Sequence, residues 1–540
     1  MTFIRQENFG GIAPKVDPRR LSDELAQEAE NCLFEENTLR SLREPATTGA
    51  NLNVGTDTIF RYQGAWLQFS EPTHAVLSPV VNDVHQRVYI TDSTYPKVRS
   101  GAGVYRLGVP APGTPTVSGP VVIEDPDTLV EVETVYYVVT VVDGFGAEGP
   151  PCLPTIGKLR NRNKPLSVTF TTKPSGDYNL GAGAKLRIYR SNSGTESTVF
   201  QFAGEVPFFS QGFTDNVLNE ELQEVLPSTT WSGPPDDNSS LWPDGPLQGM
   251  EYGPNGILSG FSKRTVYFSE PYLPHAWPTE YSITIRDEIK ATKWISAGLL
   301  VVTNGIPVLI TGAHPASMTV FEPEKGYACS SARSLVDMGG WAIYQSPDGL
   351  VAVEGLKFIL LTEEFYTNNL WRGQVPTNSI GGNSEGRYVL FWDNGAGERQ
   401  GLVFDPLAGK NAITTTSLYS GLAYHDMPTG NLLVRDPDSN TVAVFDAGGK
   451  LPYVWRSKVY TLPTPTNFAF LELVANDYPV QVVLKAGDRW GQINTVFSGN
   501  VAERIVPLPS GFESLSWSIE VSGTQEIVYA GLYEDLSEIG

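Results

Sequence analysis

Gly298-Leu299-Leu300-Val301-Val302-Thr303 reads as a buried strand opened by a glycine, and it decides the fold because its pattern repeats. Glycines opening apolar runs recur at Gly256, Gly298, Gly340, Gly382 and Gly421, at intervals of 42, 42, 42 and 39 residues. That spacing matches the ~40 to 50 residues that a four-stranded propeller blade takes. No WD or kelch signature accompanies the period, so a run of irregular hairpins is the competing reading. Residues 57–108 have the same texture, with short runs at Trp66–Phe69, Arg87–Thr91 and Val104–Leu107, and read as one further blade.

Short β runs continue at Thr265–Ser269 and Val389–Trp392, and helix-length periodicity is rare. Strands without intervening helices exclude a doubly wound α/β sheet and favour sandwiches, barrels or propellers. One block, residues 113–230, stands apart. It opens on the Pro/Gly-rich Pro110–Pro120 and gives Thr134–Val142, a turn at Asp143-Gly144 and Gly146, and an exit at Gly149-Pro150-Pro151. Leu186–Arg190, Val199–Ala203 and Phe213-Thr214-Asp215 follow, a strand spacing that suits an immunoglobulin-like sandwich. Residues 456–540 alternate cleanly in Gln481–Lys485 and Ser516–Val521 and read as a small β-sandwich, entered through Thr461–Asn467 with Pro463 and Pro465.

Residues 1–21 read as an extended arm punctuated by Gly10, Gly11, Pro14 and Pro18. The pattern then predicts a helix over 22–36: Ser22 as cap, Asp23 and Glu24 at the positive end of the dipole, and Leu25, Ala29, Cys32 and Leu33 on one face. An arm with little of its own to fold around is expected to gain order on a neighbouring subunit. The expected fold is all-β: a propeller-like domain with an inserted fibronectin III/immunoglobulin-like sandwich, an N-terminal arm and helix, and a C-terminal β-sandwich. The boundaries read as 1–56 for arm and helix, 57–112 and 231–455 for the propeller-like domain, 113–230 for the insertion and 456–540 for the last sandwich.

At 540 residues several domains are expected, and 41% hydrophobic residues with 11% aromatics argue against disorder despite a net charge of -22. Cys32, Cys152 and Cys329 are too few and too far apart for a disulfide framework or a zinc cluster. His74, His85, His275, His314 and His425 form no i, i+4 pair. No apolar run reaches 18 residues, and Met1–Gly11 lacks the regions of a signal peptide, so no membrane segment and no general secretory export are expected. Lys+Arg 38 against Asp+Glu 60 argues against tight binding of nucleic acid.

Motifs that carry chemistry elsewhere read here as turns. Gly382-Asn383-Ser384-Glu385-Gly386 matches a nucleophile elbow, but a strand, Arg387–Trp392, follows the serine where a helix is needed. Asp436-Pro437-Asp438-Ser439-Asn440 spaces oxygens as a calcium loop does, yet Thr441 holds the sixth place and no acid stands at the twelfth. Gly448-Gly449-Lys450 lacks the rest of a phosphate loop. Ser346-Pro347-Asp348-Gly349 resembles the aspartate box of sialidase propellers without its closing tryptophan, which makes a glycosidase the rival class. The aromatic stretch Tyr267–Trp277, with Pro271, Pro274 and His275, fits either a sugar platform or packing between blades. The reading therefore names no catalytic, cofactor-binding or metal residue and no cofactor.

Two resemblances add to this. Tyr136-Tyr137-Val138-Val139 with Leu186–Arg190 resembles the facing strands of a fibronectin type III module. The opening Phe9-Gly10-Gly11-Ile12-Ala13-Pro14, then Ala26–Cys32 and Leu39–Pro45, resembles the start of many phage tail proteins, in which a Gly-Gly arm leads to a helix bearing Ala and Asn and then to an Arg-Xaa-Pro turn; here Glu44 is the middle residue. Phe202-Ala203-Gly204, Leu226–Trp231, Phe268–Tyr272 and His275-Ala276-Trp277-Pro278 are similar to stretches of structural virion proteins. The resemblance implies a tail nozzle or tail-accessory protein of the short-tailed phage type: a non-enzymatic β-propeller subunit of the virion tail, made in the host cytoplasm. It also implies a homo-oligomeric ring, a hexamer, below the connector and beside other tail proteins, with double-stranded DNA passing without tight binding. The alternative is a propeller-type protein that binds or hydrolyses host surface polysaccharide.

Overall fold

A computed structural model describes residues 3–120, 131–162, 164–193, 198–395, 398–406, 412–436, 439–487, 492–511 and 513–539. The chain is all-β, with a propeller-like series of sheets, an inserted sandwich and a C-terminal sandwich. Among the described residues the one α-helix is the seven-residue Asn368–Gln374. Four four-stranded sheets run as up-and-down meanders, with first strands at His74–Leu77, Gln248–Tyr252, Ile289–Ile295 and Val336–Asp337; Ile380–Ser384 opens the same pattern within a ten-stranded sheet, and Ala423–Asp426 opens a three-strand run. Gly256, Gly298 and Gly340 sit at or just before second strands, whereas Gly382 lies inside a first strand and Gly421 just before one, so the glycine period follows the meander but slips in register.

The chain divides into two compact units, one of residues 1–72, 293–309 and 321–540, the other of 73–292 and 310–320. In the second unit the insertion forms two three-stranded antiparallel sheets, Thr116–Ser118 with Leu166–Thr169 and Gly212–Asp215, and Tyr137–Val142 with Lys185–Ser193 and Thr198–Pro207. Their inward side chains, among them Val139, Val141, Leu166, Val168, Leu186 and Ile188, make one core. Arg106 pins this sandwich to the strand it belongs to. Its guanidinium lies 3.9 Å from the Tyr95 ring centre and pairs with Asp236 at 3.2 Å, while its backbone N–H donates to the Asp177 carbonyl.

In the first unit the predicted arm and helix are replaced by strands. Phe3–Gln6 pairs antiparallel with Ile527–Tyr533, Ala26–Glu30 with Tyr453–Ser457, and Cys32–Glu35 forms a hairpin with Thr38–Ser41. The helical spacing was produced by two backbone irregularities. A bulge between Ala26 and Glu28 puts two inward alanines, Ala26 and Ala29, three residues apart. Asn31 then takes a left-handed conformation, φ 54°, which sends Cys32–Glu35 into the other sheet. Glu36 and Asn37, at φ 50° and 64°, make the hairpin turn that was read as the helix end.

The segment is also ordered by its own chain. Ile4, Phe9, Ile12 and Ala13 are buried in the core shared with Trp455, Leu471, Trp517 and Leu532. The C-terminal sandwich is thus built from both ends of the sequence. Ala26–Glu30 bridges Ala412–Thr416 of a blade and Tyr453–Ser457 of the sandwich, so that one ten-stranded sheet runs through both. Ala46–Asn51 closes another blade as the fourth strand beside Thr441–Val444.

Gly11 makes this possible, since a Cβ there would lie 2.4 Å from the Ile413 nitrogen and oxygen. Gly11→Ala is expected to destabilise this unit by about 1–3 kcal/mol through overpacking against fixed backbone. Gly421→Ala, which would meet only the Tyr419 hydroxyl at 3.6 Å, is the control. Urea unfolding followed by tryptophan fluorescence measures both, and equal midpoints for the two variants would refute the close-approach argument.

Candidate functional site

The sequence motifs fall where their turn readings put them. Ser384 pairs with Arg387 across a two-residue turn, Glu385-Gly386, with φ 53° and 82°. Ser346 pairs with Gly349 across Pro347-Asp348. The short helix packs on this turn. Trp371, fully buried, donates its indole N–H to the Ser346 carbonyl at 2.9 Å, and Asn368 and Arg372 bond the Asp348 carboxylate at 2.9 and 2.8 Å. Pro437 and Asp438 of the calcium-like run lie outside the described residues; Asp436 accepts the Ser439 N–H and Asn440 the Arg435 guanidinium. Gly448 lies against the chain at Glu44, where a Cβ would come 2.7 Å from the carbonyl oxygen.

The aromatic stretch is packing. Trp277 is 2% exposed and bonds the Pro274 carbonyl, Tyr267 stands edge-on to Trp242 at 5.8 Å, and His275 edge-on to Trp231 at 5.7 Å. Tyr272 is the exposed member, at φ 60°.

Cavities lie instead around the N-terminal segment, which sequence reasoning placed outside any site. One of about 650 Å³ is lined by Phe9, Leu25 and Phe34 and by Glu24, Glu35, Glu36, Glu385, Asp405 and Arg387. A neighbour of about 500 Å³ shares Glu35, Glu385 and Arg387 and adds Arg40, Arg43, Asp446 and Lys450. Arg387 bonds Glu385 at 2.6 Å and Asp446 at 3.2 Å, and burial pushes the Asp446 carboxyl up although Arg387 opposes it. Such a pair of cavities suits cationic groups in the first and mixed charge in the second. Among the described residues no group of three or more His, Cys, Asp or Glu could hold a metal ion.

A separate cleft of about 560 Å³ is lined by planar hydrogen-bonding groups, Gln27, Glu28, Gln374, Asn394, Glu398 and Gln400, and by Tyr366 and Trp392. Asn394 donates to Glu398 at 2.6 Å, and Arg456 holds Glu28 at 2.9 Å. Both aromatics are 4% exposed.

The second unit holds a buried polar seam where Arg87, Tyr89, Asp143, Phe145 and His275 meet. Burial, aided by the Arg87 charge, pulls the His275 ring down to about 4, against a hydrogen bond to the Glu148 backbone. Burial pushes Asp143 up to about 6 despite the N–H groups of Phe145 and Ala147.

No family model matches the chain, and no curated protein matches it. Similar solved structures include an exo-β-1,3-galactanase from Phanerochaete chrysosporium, at 9% identity, TM-score 0.20, covering 53% of this chain and 95% of that one. PorZ, a surface component of the type-IX secretion system of Porphyromonas gingivalis, matches at 11% identity and TM-score 0.24, over 92% and 83% of the two chains. Trypanosoma rangeli sialidase matches at 8% identity and TM-score 0.20, over 99% and 96%. Likenesses this faint assign neither activity nor ligand.

The buried seam gives a pH dependence. The folded pKa of His275, about 4, lies below the ordinary 6.5, so the unfolded chain binds more protons between these values and stability rises as pH climbs from ~4 to ~6.5. Asp143 acts oppositely, its raised pKa favouring the folded chain as pH falls through about 6. In the difference between wild type and His275→Gln the Asp143 contribution cancels, leaving a gain of about 3 kcal/mol in favour of wild type across that window. Chemical denaturation at stepped pH reads this difference; a flat difference from pH 4 to 7 excludes it.

Proposed function

We propose that the chain is a non-enzymatic structural subunit of a phage tail, a nozzle or tail-accessory protein standing in a homo-oligomeric ring of six below the head-to-tail connector. The ring forms part of the conduit for genome exit. One observation carries the reading: the residues on which the phage-tail resemblance rests are joints of the framework. Gly10 and Gly11 let the first segment pass against backbone at Glu24 and Ile413. Asn31 bonds the Pro452 carbonyl, Thr416 and Ser417 from a left-handed position. The Arg43–Pro45 turn is stitched to the last blade by backbone bonds from Glu44 to Gly449 and from Gly448 to Glu44, both 2.7 Å. A net charge of -22 suits a conduit wall that leaves DNA mobile.

A second reading, a propeller-type protein that binds or hydrolyses host polysaccharide, is favoured by the cleft of Gln27, Glu28, Gln374, Asn394, Glu398 and Gln400. Planar amides and carboxylates are groups that orient sugar hydroxyls. Gln400→Ala with Glu398→Gln separates the two. Under the structural reading particles carrying the double variant assemble and infect normally, the wild-type chain appears in micrographs as a ring below the connector, and the purified chain neither retains nor cleaves host polysaccharide. Polysaccharide retention that the double variant abolishes, or a chain missing from the tail, would replace it with the second.

A further inference from the structure

Two buried polar atoms of the second unit converge on one small cavity. Tyr89, on the strand Val88–Thr91, is 1% exposed, and its hydroxyl has no hydrogen-bond partner among the described residues. The His275 Nε2 is buried and unpartnered in the same way. Both side chains line a cavity of about 10 Å³, with Arg87 and Asp143 beside them. Buried polar groups almost always find a partner, so two orphans lining one space point to a ligand that they share.

The cavity admits only a small one. Roughly 10–15 Å³ holds a single water, and an internal water makes about two to four hydrogen bonds to groups that would otherwise go unpaired. Arg87 disfavours a cation in this space, and Asp143 disfavours an anion. The hydrogen-bonding capacities fit a water. Burial pushes the Tyr89 phenol up to about 12, so the hydroxyl keeps its proton and donates. The His275 ring is neutral at pH 7, and the Glu148 carbonyl takes the proton of its other nitrogen, which leaves Nε2 an acceptor. Asp143 accepts the Phe145 and Ala147 N–H groups at Oδ1 alone, both at 2.9 Å, so Oδ2 is a second acceptor. Arg87 bonds Asp83 through Nε at 2.7 Å and keeps its terminal N–H groups as donors. A water in the cavity thus meets two donors and two acceptors. Ser78 is the other hydroxyl near Tyr89, and it accepts the Val80 N–H at 3.3 Å.

We infer that one internal water is built into this seam, accepting from the Tyr89 hydroxyl and donating to the His275 Nε2 and the Asp143 carboxylate. Its partners come from three separate pieces of chain: the strand Val88–Thr91 of one sheet, the turn of the inserted sandwich at 143–147, and the loop between Thr265–Phe268 and Ser282–Thr284 of the next sheet. The water is therefore a joint that holds the insertion against the strands flanking it in the chain. It does so independently of what the chain assembles with.

A density map of the full-length chain at about 2 Å is expected to show one ordered water within roughly 3.2 Å of both the Tyr89 hydroxyl and the His275 Nε2. A map with a dry cavity, or with Tyr89 bonded to Ser78 instead, overturns the inference. Urea unfolding of Tyr89→Phe reads the sign independently. Removing a hydroxyl that has no partner leaves a chain as stable as before or more so, whereas removing one that holds a water is expected to raise the unfolding equilibrium constant about fivefold. The double variant Y89F/H275L is then expected to lose about threefold less than the product of the two single losses, because either change alone releases the same water. A stable Y89F chain, or losses that simply multiply, would overturn the shared site. The map needs no variant, so it decides even where H275L does not fold.

Discussion

The backbone of Gly11 runs against the backbone of Ile413, and the architecture of the first unit depends on that approach. With no Cβ in the way, the Ile12 N–H donates to the Ile413 carbonyl at 2.8 Å, the Ala26 N–H to the Gly11 carbonyl at 2.9 Å, and the Trp455 indole to the Gly10 carbonyl at 3.0 Å. Phe9 then reaches Trp455 edge-on at 4.8 Å. These contacts lay Ala26–Glu30 between a blade strand and a sandwich strand, and the two sheets become one. Each large apolar side chain the segment buries, Ile4, Phe9 and Ile12, contributes about 1.5–3 kcal/mol relative to exposure.

The β character, the blade texture and the two sandwiches were legible because they rest on local alternation and turn chemistry, which one stretch of chain displays by itself. The N-terminal segment was misread because its period is set by a bulge and by one left-handed asparagine, and their partners lie more than 380 residues away, at Ser457 and Arg456 for the bulge and at Ser417 and Pro452 for Asn31. The cavities were invisible for the same reason, being assembled from hairpin tips at Glu36 and Glu385 that only the fold brings together. Trp371 shows the limit most simply: the indole that bonds the Ser346 carbonyl stands 25 residues downstream of it. The helix that carries it was too short, at seven residues, to show a period.

The inserted sandwich is specified by charge as well as by its apolar core. Arg190 and Asp215 are fully buried and bonded at 2.5 Å, Tyr137 donates to the same carboxylate at 2.5 Å, and Asn219 accepts from both Arg190 and Arg160. Desolvating such a pair offsets much of its attraction, so its net stabilisation is small, yet any strand slip that parted the two would strand a buried charge. The register Tyr137 opposite Arg190, and Leu166 opposite Asp215, is fixed by that penalty.

The abundance of aspartate has a structural use that separates it from chemistry. Asp17, Asp83, Asp92, Asp143, Asp236, Asp337 and Asp393 each accept the backbone N–H two residues on, at Arg19, His85, Thr94, Phe145, Asn238, Gly339 and Gly395. In each case the carboxylate substitutes for a backbone acceptor in a tight turn. The Gly395 N–H bond, with Arg399 beside it, holds the Asp393 carboxyl below the usual range, and the Ser537 backbone N–H does the same for Asp535. A chain of many short strands needs many turns, and aspartate supplies them while adding charge. The acidic balance therefore follows in part from the β architecture, and a carboxylate in this protein is to be read as functional only where, as at Glu36 in the cavity lining, it serves more than its own turn.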